Sequence, residues 1–297
     1  MAPVDRIPAW LRRPPGSSEE TRDVKKLLRA SSLNTVCEEA RCPNISECFG
    51  RGTATFMILG DVCTRGCRFC SVITGKPEMS ESSFQAEGES VAEAAERLNL
   101  KHVVVTSVAR DDLPDGGASG FIKTIRSLRA RLPEVTIEIL VPDFLGKEGA
   151  LDSVLAEGPD VFNHNLETVP RLYRRVRPGA SYERSLKLLA QAAQYSKQTV
   201  VKTGIMLGLG EEEEEVLQLF SDARAAGVNV FTAGQYMRPG RNYLGVVEYL
   251  SPKKFQFYSE KAEQVGFESI TIEPLSRSSY RAETQLAKVR EEIGRAS

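Results

Sequence analysis

The sequence lacks a long apolar run and an excess of charge of either sign. No stretch of about 18 or more apolar residues is present, and residues 1–20 contain no signal-peptide apolar segment. Lys and Arg total 39 against 40 Asp and Glu, which gives a formal net charge of −1. The chain therefore lacks the positive field of non-specific nucleic-acid binders. We expect a soluble, cytoplasmic protein that binds neither nucleic acid nor membrane.

Cysteine is absent from most of the chain but dense in one short part of it. The six cysteines form two closely spaced triplets, Cys37/Cys42/Cys48 and Cys63/Cys67/Cys70. In a reducing cytosol, clustered thiols hold metal more often than they form disulfides. Soft thiolates suit iron–sulfur clusters, and a [4Fe-4S] cluster normally takes four of them, so each triplet leaves one position open.

Histidine is also scarce, which bears on the alternative of a zinc site. A three-thiolate zinc centre needs a fourth ligand from elsewhere in the chain. The only histidines are His102 and His164, both on predicted strands, where packing or hydrogen bonding is the commoner role. The pattern therefore favours iron–sulfur clusters over zinc.

Apolar, often β-branched runs alternate with helical patterns along the chain. The runs lie near residues 54–59, 102–107, 136–141, 160–164, 199–207 and 228–234, with a last one at 269–273. Such alternation predicts parallel strands joined by right-handed helical crossovers, in a barrel or an open doubly wound sheet. Six main repeats favour an α/β fold of the partial (β/α)6 TIM-type barrel class. In these folds the chemistry lies at the carboxyl ends of the strands.

Three helix starts are indicated by local signals. Ser17 with Glu20 and Ser90 with Glu93 have capping-box spacing, and Ser251 precedes a proline at a plausible first helical position. The acidic run 211–215 is expected to open a further helix, because negative charge complements the helix dipole.

The second triplet carries the first resemblance. Cys63, Cys67 and Cys70 are spaced C-x3-C-x2-C, with Phe69 directly before the last thiol. This loop resembles the signature of radical S-adenosylmethionine enzymes. The resemblance implies that S-adenosylmethionine chelates the open iron of the cluster. Its reductive cleavage then yields a 5′-deoxyadenosyl radical that abstracts an unactivated hydrogen, chemistry that no protein side chain performs unaided.

Longer stretches narrow the resemblance to the lipoyl synthase family. These are TVCEEARCPNISECF, GDVCTRGCRFCSV and RSSYRA, with TSVARDDLPDGGA, VFNHNLETVPRLYRRVRPGASYERSLKLL and KTGIMLGLGE in the expected order. The resemblance implies a second, auxiliary [4Fe-4S] cluster that is consumed as the sulfur source. Its implied ligands are Cys37, Cys42, Cys48 and a serine of the RSSY segment. Ser279 corresponds best, and the neighbouring Ser278 stays open.

The resemblance also implies a domain order and a set of partners. Residues 1–50 would form an N-terminal extension carrying the auxiliary-cluster cysteines, 51–270 the barrel, and 271–297 a C-terminal tail, with both extensions over the barrel mouth. The implied reaction inserts sulfur at C6 and C8 of an octanoyl-lysine on lipoyl domains of 2-oxoacid dehydrogenase complexes or on the glycine cleavage H protein. A ferredoxin or flavodoxin would supply electrons, and an iron–sulfur carrier would rebuild the auxiliary cluster.

Polar residues near strand ends are candidates for the cofactor pocket. Asn163, Asn165 and Glu167 alternate at the end of the fourth predicted strand, which would place their side chains on one face, suited to the ribose or methionine of S-adenosylmethionine. Phe69 lies in the cluster loop. Arg177 would orient a carboxylate or anchor a helix.

Two further segments carry less specific signals. Asp111 and Asp112 precede a Gly-Gly turn and fit either a site for a substrate amine or cofactor or a solvated loop. The glycines of GIMLGLGE (204–211) do not match G-x-G-x-x-G, and close approach of the backbone to adenine explains them better.

Two rival functions share part of these signals. A biotin synthase or methylthiotransferase would share the Cys63 loop, but the CEEARCPNISEC and RSSY stretches count against it. The second alternative is a protein without catalytic activity, either an iron–sulfur carrier or a zinc-stabilised binding module. The barrel pattern with polar strand ends counts against that reading.

Overall fold

The computed structural model describes residues 6–12, 22, 26, 33–35, 42, 44–50, 54–78 and 80–296. The chain divides into two compact units. The first unit contains Pro15–Gly66 and Ser71–Phe162, and the second contains Met1–Pro14, Cys67–Cys70 and Asn163–Ser297. The predictions for Cys37 and for a helix start at Ser17 and Glu20 lie outside the described residues.

The first unit is built on parallel strands. Its strands are β1 (Asn34–Thr35), β2 (Thr55–Ile58), β3 (Val62–Cys63), β4 (Ile73–Thr74), β5 (His102–Ser107), β6 (Thr136–Leu140) and β7 (Val161–Asn163), whose last residue belongs to the second unit. The order is β1-β2-β5-β6-β7, while β3 and β4 pair separately. Strand β5 is parallel to both β2 and β6, with Val104 opposite Thr55 and His102 opposite Thr136. Strand β1, which the apolar pattern did not predict, is antiparallel to β2.

Helices cover this sheet and bury its strands. They are α1 (Ile45–Gly50), α2 (Phe84–Arg97), α3 (Ala118–Arg131) and α4 (Ala150–Leu155). Val103, Val104 and Val105 of β5 are fully buried, as expected for a parallel strand that is covered on both faces. Helix α2 contributes Phe84 and Val91 to the core, also without exposed area.

The second unit continues the same alternation. Its strands are β8 (Val200–Leu207), β9 (Val230–Gln235) and β10 (Ser269–Ile272), and its helices are α5 (Tyr173–Val176), α6 (Tyr182–Tyr195), α7 (Glu213–Ala225), α8 (Pro252–Val265) and α9 (Ala282–Ala296). The strand order is β8-β9-β10, with β9 parallel to β8 and β10. The ring of Phe220 meets those of Phe231 and Tyr258 edge to face, which ties α7 to β9 and α8.

The mostly parallel strands confirm the predicted α/β class, and each predicted apolar run contains a strand. The described helices include none that is both long and apolar enough to cross a bilayer. The fourth predicted strand is shorter than expected, since β7 ends at Asn163.

The predicted helix starts had different outcomes. Ser251 caps α8, accepting a hydrogen bond from the Lys254 amide (3.3 Å), as predicted. Helix α7 begins within the acidic run, where Glu212 forms a capping box with Glu215. The prediction of a start at Ser90 is wrong because α2 begins at Phe84, where its apolar face begins. The Ser90 hydroxyl instead donates to the carbonyl of Ala86 inside the helix (2.9 Å).

These two serines predict opposite effects of the same substitution. We expect Ser251→Ala to lower the free energy of unfolding by about 1 kcal/mol, because it removes an N-cap acceptor. Ser90→Ala should leave it unchanged within about 0.5 kcal/mol or raise it, because alanine is the better residue in a helix interior. Urea unfolding of both variants measures the difference. Equal losses would mean that the helix assignments at Ser90 or Ser251 are wrong.

Candidate active site

The first part of the cysteine loop is held by the segment that follows β5. Thr64 donates two hydrogen bonds to the carbonyl of Ala109, from its amide (3.0 Å) and from its hydroxyl (2.9 Å). The amide of Ala109 donates in turn to Cys63 Sγ (3.3 Å), and the amide of Arg65 donates to the same sulfur (3.4 Å). Two backbone N–H groups therefore point at this thiol, a pattern that suits a thiolate ligand of an iron–sulfur cluster.

Arg65 lies inside the cysteine loop and is buried by two carboxylates. Its guanidinium donates to both oxygens of Asp111 at 2.7 Å and lies 2.6 Å from Asp143. Burial alone would lower the pKa of Arg65, but its hydrogen bonds with the two carboxylates, and their charges, outweigh that effect and raise it. Asp112 pairs instead with Arg110 at 2.8 Å, which lowers the pKa of Asp112. Both acidic residues thus bind arginines, an arrangement that neither sequence-based interpretation predicted.

The second part of the loop belongs to the second unit. Residues 67–70 form a turn closed by the Cys70 amide on the carbonyl of Cys67 (3.1 Å). Arg68 fixes this turn through its backbone: its amide donates to Val176 (2.9 Å) and its carbonyl accepts from Leu244 (3.0 Å). Cys67, Phe69 and Cys70 are half-buried. The thiols are therefore held by backbone contacts while staying accessible.

The row of polar residues after β7 is not a continuous strand. Strand β7 ends at Asn163, whose side chain is fully buried. Glu167 has a φ of 66° and forms an isolated parallel bridge with Ile205 of β8. The premise that strand alternation brings Asn163, Asn165 and Glu167 to one face is therefore wrong, because the strand ends at Asn163 and the backbone of Glu167 itself is left-handed.

Asn165 and Glu167 nevertheless form one polar group. The side-chain amide of Asn165 donates a hydrogen bond through Nδ2 to Ser278 Oγ (3.3 Å). Desolvation raises the pKa of Glu167, although the charge of Arg177, the hydrogen bond with Asn165 and the charge of Arg277 oppose it. A carboxylate and an amide set beside β8 can bind hydroxyl and amino groups of a cofactor.

Arg177 acts on the backbone of this same segment. Its Nη1 donates to the carbonyls of Asn165 (2.9 Å) and Leu166 (3.3 Å), and its guanidinium lies over the ring of Tyr173 at 5.4 Å. These contacts anchor a loop as well as the turn of α5, and the charge of Arg177 also acts on the Glu167 carboxylate.

Glu211 is a residue whose role the sequence did not predict. Its carboxylate turns back and accepts hydrogen bonds from the amides of Gly208 (2.9 Å), Leu209 (3.0 Å) and Gly210 (3.2 Å). Burial raises the pKa of Glu211, while these backbone hydrogen bonds oppose the shift. Gly208 has a φ of 101°, which explains a glycine there. The sequence signal for this role is a glutamate directly after Gly210, but the acidic run 211–215 predicts the start of a helix instead.

The RSSY segment forms a turn against the end of β9. The amide of Tyr280 donates to the carbonyl of Arg277 (2.9 Å), which closes the turn. The backbone approaches so closely that a Cβ on Gly234 would lie 2.0 Å from the Ser276 carbonyl oxygen. Ser278 accepts the hydrogen bond from Asn165, and Ser279 is half-buried.

Two cysteines of the first triplet are described. Cys42 precedes α1, with its carbonyl accepting from the Ile45 amide (3.3 Å), and Cys48 lies within α1, with its amide donating to Asn44 (2.9 Å). Both cysteines are half-buried. Backbone hydrogen bonds at the start of α1 therefore involve both cysteines.

The donor set fits iron–sulfur chemistry. The five described cysteines are thiols rather than halves of disulfides, and soft thiolates in threes are the ligands that such clusters take. The described part of the chain holds no group of three His, Cys, Asp or Glu side chains gathered for a single metal ion. His164 is hydrogen-bonded to Ser185 (2.9 Å), and His102 lies 3.4 Å from Glu138. The assignment of cluster ligands rests on motif and family.

Comparison with known proteins identifies the family. A model described as the Radical SAM superfamily matches residues 57–223. A lipoyl synthase of Methylococcus capsulatus is 52% identical over 283 residues, covering 95% of this chain and 87% of that protein. A lipoyl synthase of Caldanaerobacter subterraneus subsp. tengcongensis is 50% identical over 285 residues, covering 96% of this chain and 99% of that protein. These relatives count against the biotin synthase, methylthiotransferase and non-catalytic alternatives.

Solved structures share the fold at low identity. SuiB of Streptococcus suis, bound to S-adenosylmethionine, has a TM-score of 0.58 at 13% identity and covers 84% of this chain, which spans only 59% of SuiB. HydG, a maturase of the [FeFe]-hydrogenase, has a TM-score of 0.52 at 13% identity, covering 91% of this chain and 74% of HydG. With the family model and two relatives at about half identity over nearly the full length, the chain belongs to the lipoyl synthase family of radical S-adenosylmethionine enzymes.

Proposed function

We propose that the chain inserts two sulfur atoms, at C6 and C8, into an octanoyl group bound to a lysine of a carrier protein. The observation that carries this proposal is the pair of incomplete cysteine triplets in a member of the lipoyl synthase family. One triplet would serve C–H cleavage and the other would supply sulfur. The substrate class is the octanoylated lipoyl domain of 2-oxoacid dehydrogenase complexes or the glycine cleavage H protein.

Cys63, Cys67 and Cys70 would hold the catalytic [4Fe-4S] cluster. With S-adenosylmethionine at its open iron, such a cluster supplies the one-electron cleavage that lets an unactivated C–H bond be broken. The residues of the chain support this chemistry by their positions. The amides of Ala109 and Arg65 donate to Cys63 Sγ, and the backbone of Arg68 fixes the turn that carries the other two thiols.

The cofactor contacts would come from the polar group after β7. The Asn165 side chain can donate and accept hydrogen bonds, and the Glu167 carboxylate can accept them, from the ribose and methionine of S-adenosylmethionine. Asn163 and Phe69 are further candidates. Arg177 would hold the carbonyls of this segment in place rather than touch the cofactor. Glu211 fixes the glycine-rich turn after β8, which supports a role for that backbone beside adenine.

Cys37, Cys42, Cys48 and Ser279 would hold the auxiliary cluster, with the N-terminal extension and the tail over the barrel mouth. A serine oxygen is a harder donor than a thiolate and a weaker partner for iron, which suits a cluster that is dismantled to release sulfur. The hydrogen bond from Asn165 to Ser278 favours Ser279 as the ligand, because it leaves Ser278 engaged with the polar group after β7. A ferredoxin or flavodoxin would supply electrons, and an iron–sulfur carrier would rebuild the cluster.

The test separates C–H cleavage from sulfur supply by measuring two products, 5′-deoxyadenosine and thiolated peptide. Reconstituted native protein and Cys42→Ala/Cys48→Ala would be assayed anaerobically with S-adenosylmethionine, a reductant and an octanoyl-lysine peptide. The native protein should form both 5′-deoxyadenosine and thiolated peptide, whereas the double variant should form only the first. Ser278→Ala and Ser279→Ala form a matched pair, of which only Ser279→Ala should lose thiolation. Thiolated peptide from the double variant would overturn the assignment of the sulfur source.

A further inference from the structure

Arg65 is placed between two cluster cysteines, but its side chain points into the first unit. The side chain is only 7% exposed. Its Nε and Nη2 donate to the two oxygens of Asp111, and the same Nη2 lies 2.6 Å from Asp143, which is fully buried. A planar guanidinium bound in this forked way fixes both position and orientation, which a lysine cannot do.

The two carboxylates come from the ends of neighbouring strands. Asp111 follows β5 and Asp143 follows β6, so that Arg65 ties the cysteine loop to both strand ends. Asp143 also accepts a hydrogen bond from the amide of Leu145 (3.1 Å), where Phe144 and Leu145 have φ values of 47° and 55°. Lys147 adds a contact to the carbonyl of Asp111 (3.0 Å). The anchor of Arg65 is therefore itself held firmly.

The segment that Arg65 binds is the one that hydrogen-bonds the cysteine. Asp111 donates its amide to the Thr64 hydroxyl (3.1 Å), and Ala109, two residues earlier, donates its amide to Cys63 Sγ (3.3 Å). Loss of the Arg65 fork would free residues 63–65 to move away from residues 109–111. The hydrogen bonds that the Ala109 and Arg65 amides donate to Cys63 Sγ would then weaken. Hydrogen bonds to cluster sulfurs are one of the factors that set the reduction potential of a cluster.

We propose that Arg65 is a positioning residue for the catalytic cluster: through Asp111 and Asp143 it holds Cys63 against the Ala109 amide and so sets the reduction potential of the cluster. This inference rests on the proposed function. Weaker N–H hydrogen bonds to Cys63 Sγ would make the reduction potential of the cluster more negative, and the loss of the Arg65 charge acts in the same direction. One guanidinium faces two carboxylates, so its removal leaves the negative charge uncompensated, which disfavours the reduced cluster and makes its potential more negative.

A merely structural role is the alternative, and stability alone does not distinguish it. Breaking a buried ion pair is destabilising wherever it lies, because a charge is left without its partner. Arg129 offers a matched control in the same unit, since it pairs with Asp160 at 2.7 Å and contacts no residue of the cysteine loop among those described. Of the two substitutions, only the one at Arg65 should change the reduction potential of the cluster.

The experiment measures the potential of one isolated cluster. Arg65→Gln, Arg65→Lys and Arg129→Gln would each be made in the Cys42→Ala/Cys48→Ala background and titrated by electron paramagnetic resonance. We expect a more negative potential in Arg65→Gln, with S-adenosylmethionine cleavage lower by about 10- to 100-fold. Arg65→Lys, which keeps the charge without the fork, should recover part of the shift. Arg129→Gln should lose thermal stability while its potential stays at that of the background protein.

A native potential and cleavage rate in Arg65→Gln would overturn the proposal, whatever its melting temperature. If Arg65→Gln does not fold, Arg65→Lys decides, because native values in that variant would show that the fork is not needed. A background protein that binds no four-iron cluster would instead refute the proposed function. The two failures are therefore distinguishable.

Discussion

Replacing Cys63 by alanine is expected to abolish cleavage of S-adenosylmethionine. A four-iron cluster held by three thiolates loses a third of its protein ligands with this change. The loop contains no further cysteine, besides Cys67 and Cys70, that could replace the lost ligand. The Ala109 and Arg65 amides would then face a methyl group in place of a sulfur acceptor. We expect 5′-deoxyadenosine to fall at least about 100-fold, to the level of the reductant alone.

Two comparisons keep this prediction specific. Cys63→Ser retains a polar side chain of the same shape but offers a smaller and harder oxygen donor, so it should bind iron poorly and restore little activity. Cys48→Ala removes a thiol of the other triplet and should leave 5′-deoxyadenosine formation within a few-fold of native. Cleavage that survives in Cys63→Ala, or that is lost equally in Cys48→Ala, would mean that the roles of the triplets are assigned incorrectly.

Replacing Gly234 by alanine is expected to uncouple the two half-reactions. The added methyl group would lie 2.0 Å from the Ser276 carbonyl oxygen and 2.9 Å from Arg277 Nη1, so the tail has to shift. The Gln235 amide, which donates to the carbonyl of Pro274 (2.9 Å), is the neighbouring contact at risk. We expect the free energy of unfolding to fall by about 1–3 kcal/mol. Displacement of Ser279 should lower thiolation by about 100-fold and 5′-deoxyadenosine formation much less.

Gly240→Ala is the matched control for this substitution. A Cβ on Gly240 would meet the ring of Tyr243 at 3.5 Å, an ordinary van der Waals distance, so neither stability nor product ratio should change appreciably. Denaturant unfolding and the ratio of thiolated peptide to 5′-deoxyadenosine measure both effects. A native ratio in Gly234→Ala would contradict the role given to the tail.

Much of the fold follows from local sequence pattern. The β-branched run of β5 and the mostly apolar run of β8 predict buried strands, and their alternation with helical patterns predicts parallel pairing. Ser251 before a proline is equally local, and its helix begins where predicted. The cysteine loop was recognisable because three soft ligands within eight residues have few other uses.

What the sequence did not predict depends on distant partners. Arg65 meets Asp111 and Asp143 only after strands β5 and β6 have paired, and a single sequence does not reveal such pairings. Ser90 had the spacing of a capping box, but the apolar face of α2 extends back to Phe84 and includes it within the helix. Glu167 departs from strand alternation because its backbone is left-handed at the point where it pairs with Ile205 of β8. In each case, tertiary contacts override the local signal.

The most direct test of the two-cluster account is the content of iron, sulfide and zinc after anaerobic reconstitution. The measurement compares the native chain with Cys37→Ala/Cys42→Ala/Cys48→Ala. Two four-iron clusters predict about eight irons per native chain and about four in the triple variant, with sulfide in equal amounts. Zinc in place of iron, or an iron content that the three substitutions leave unchanged, would contradict the account.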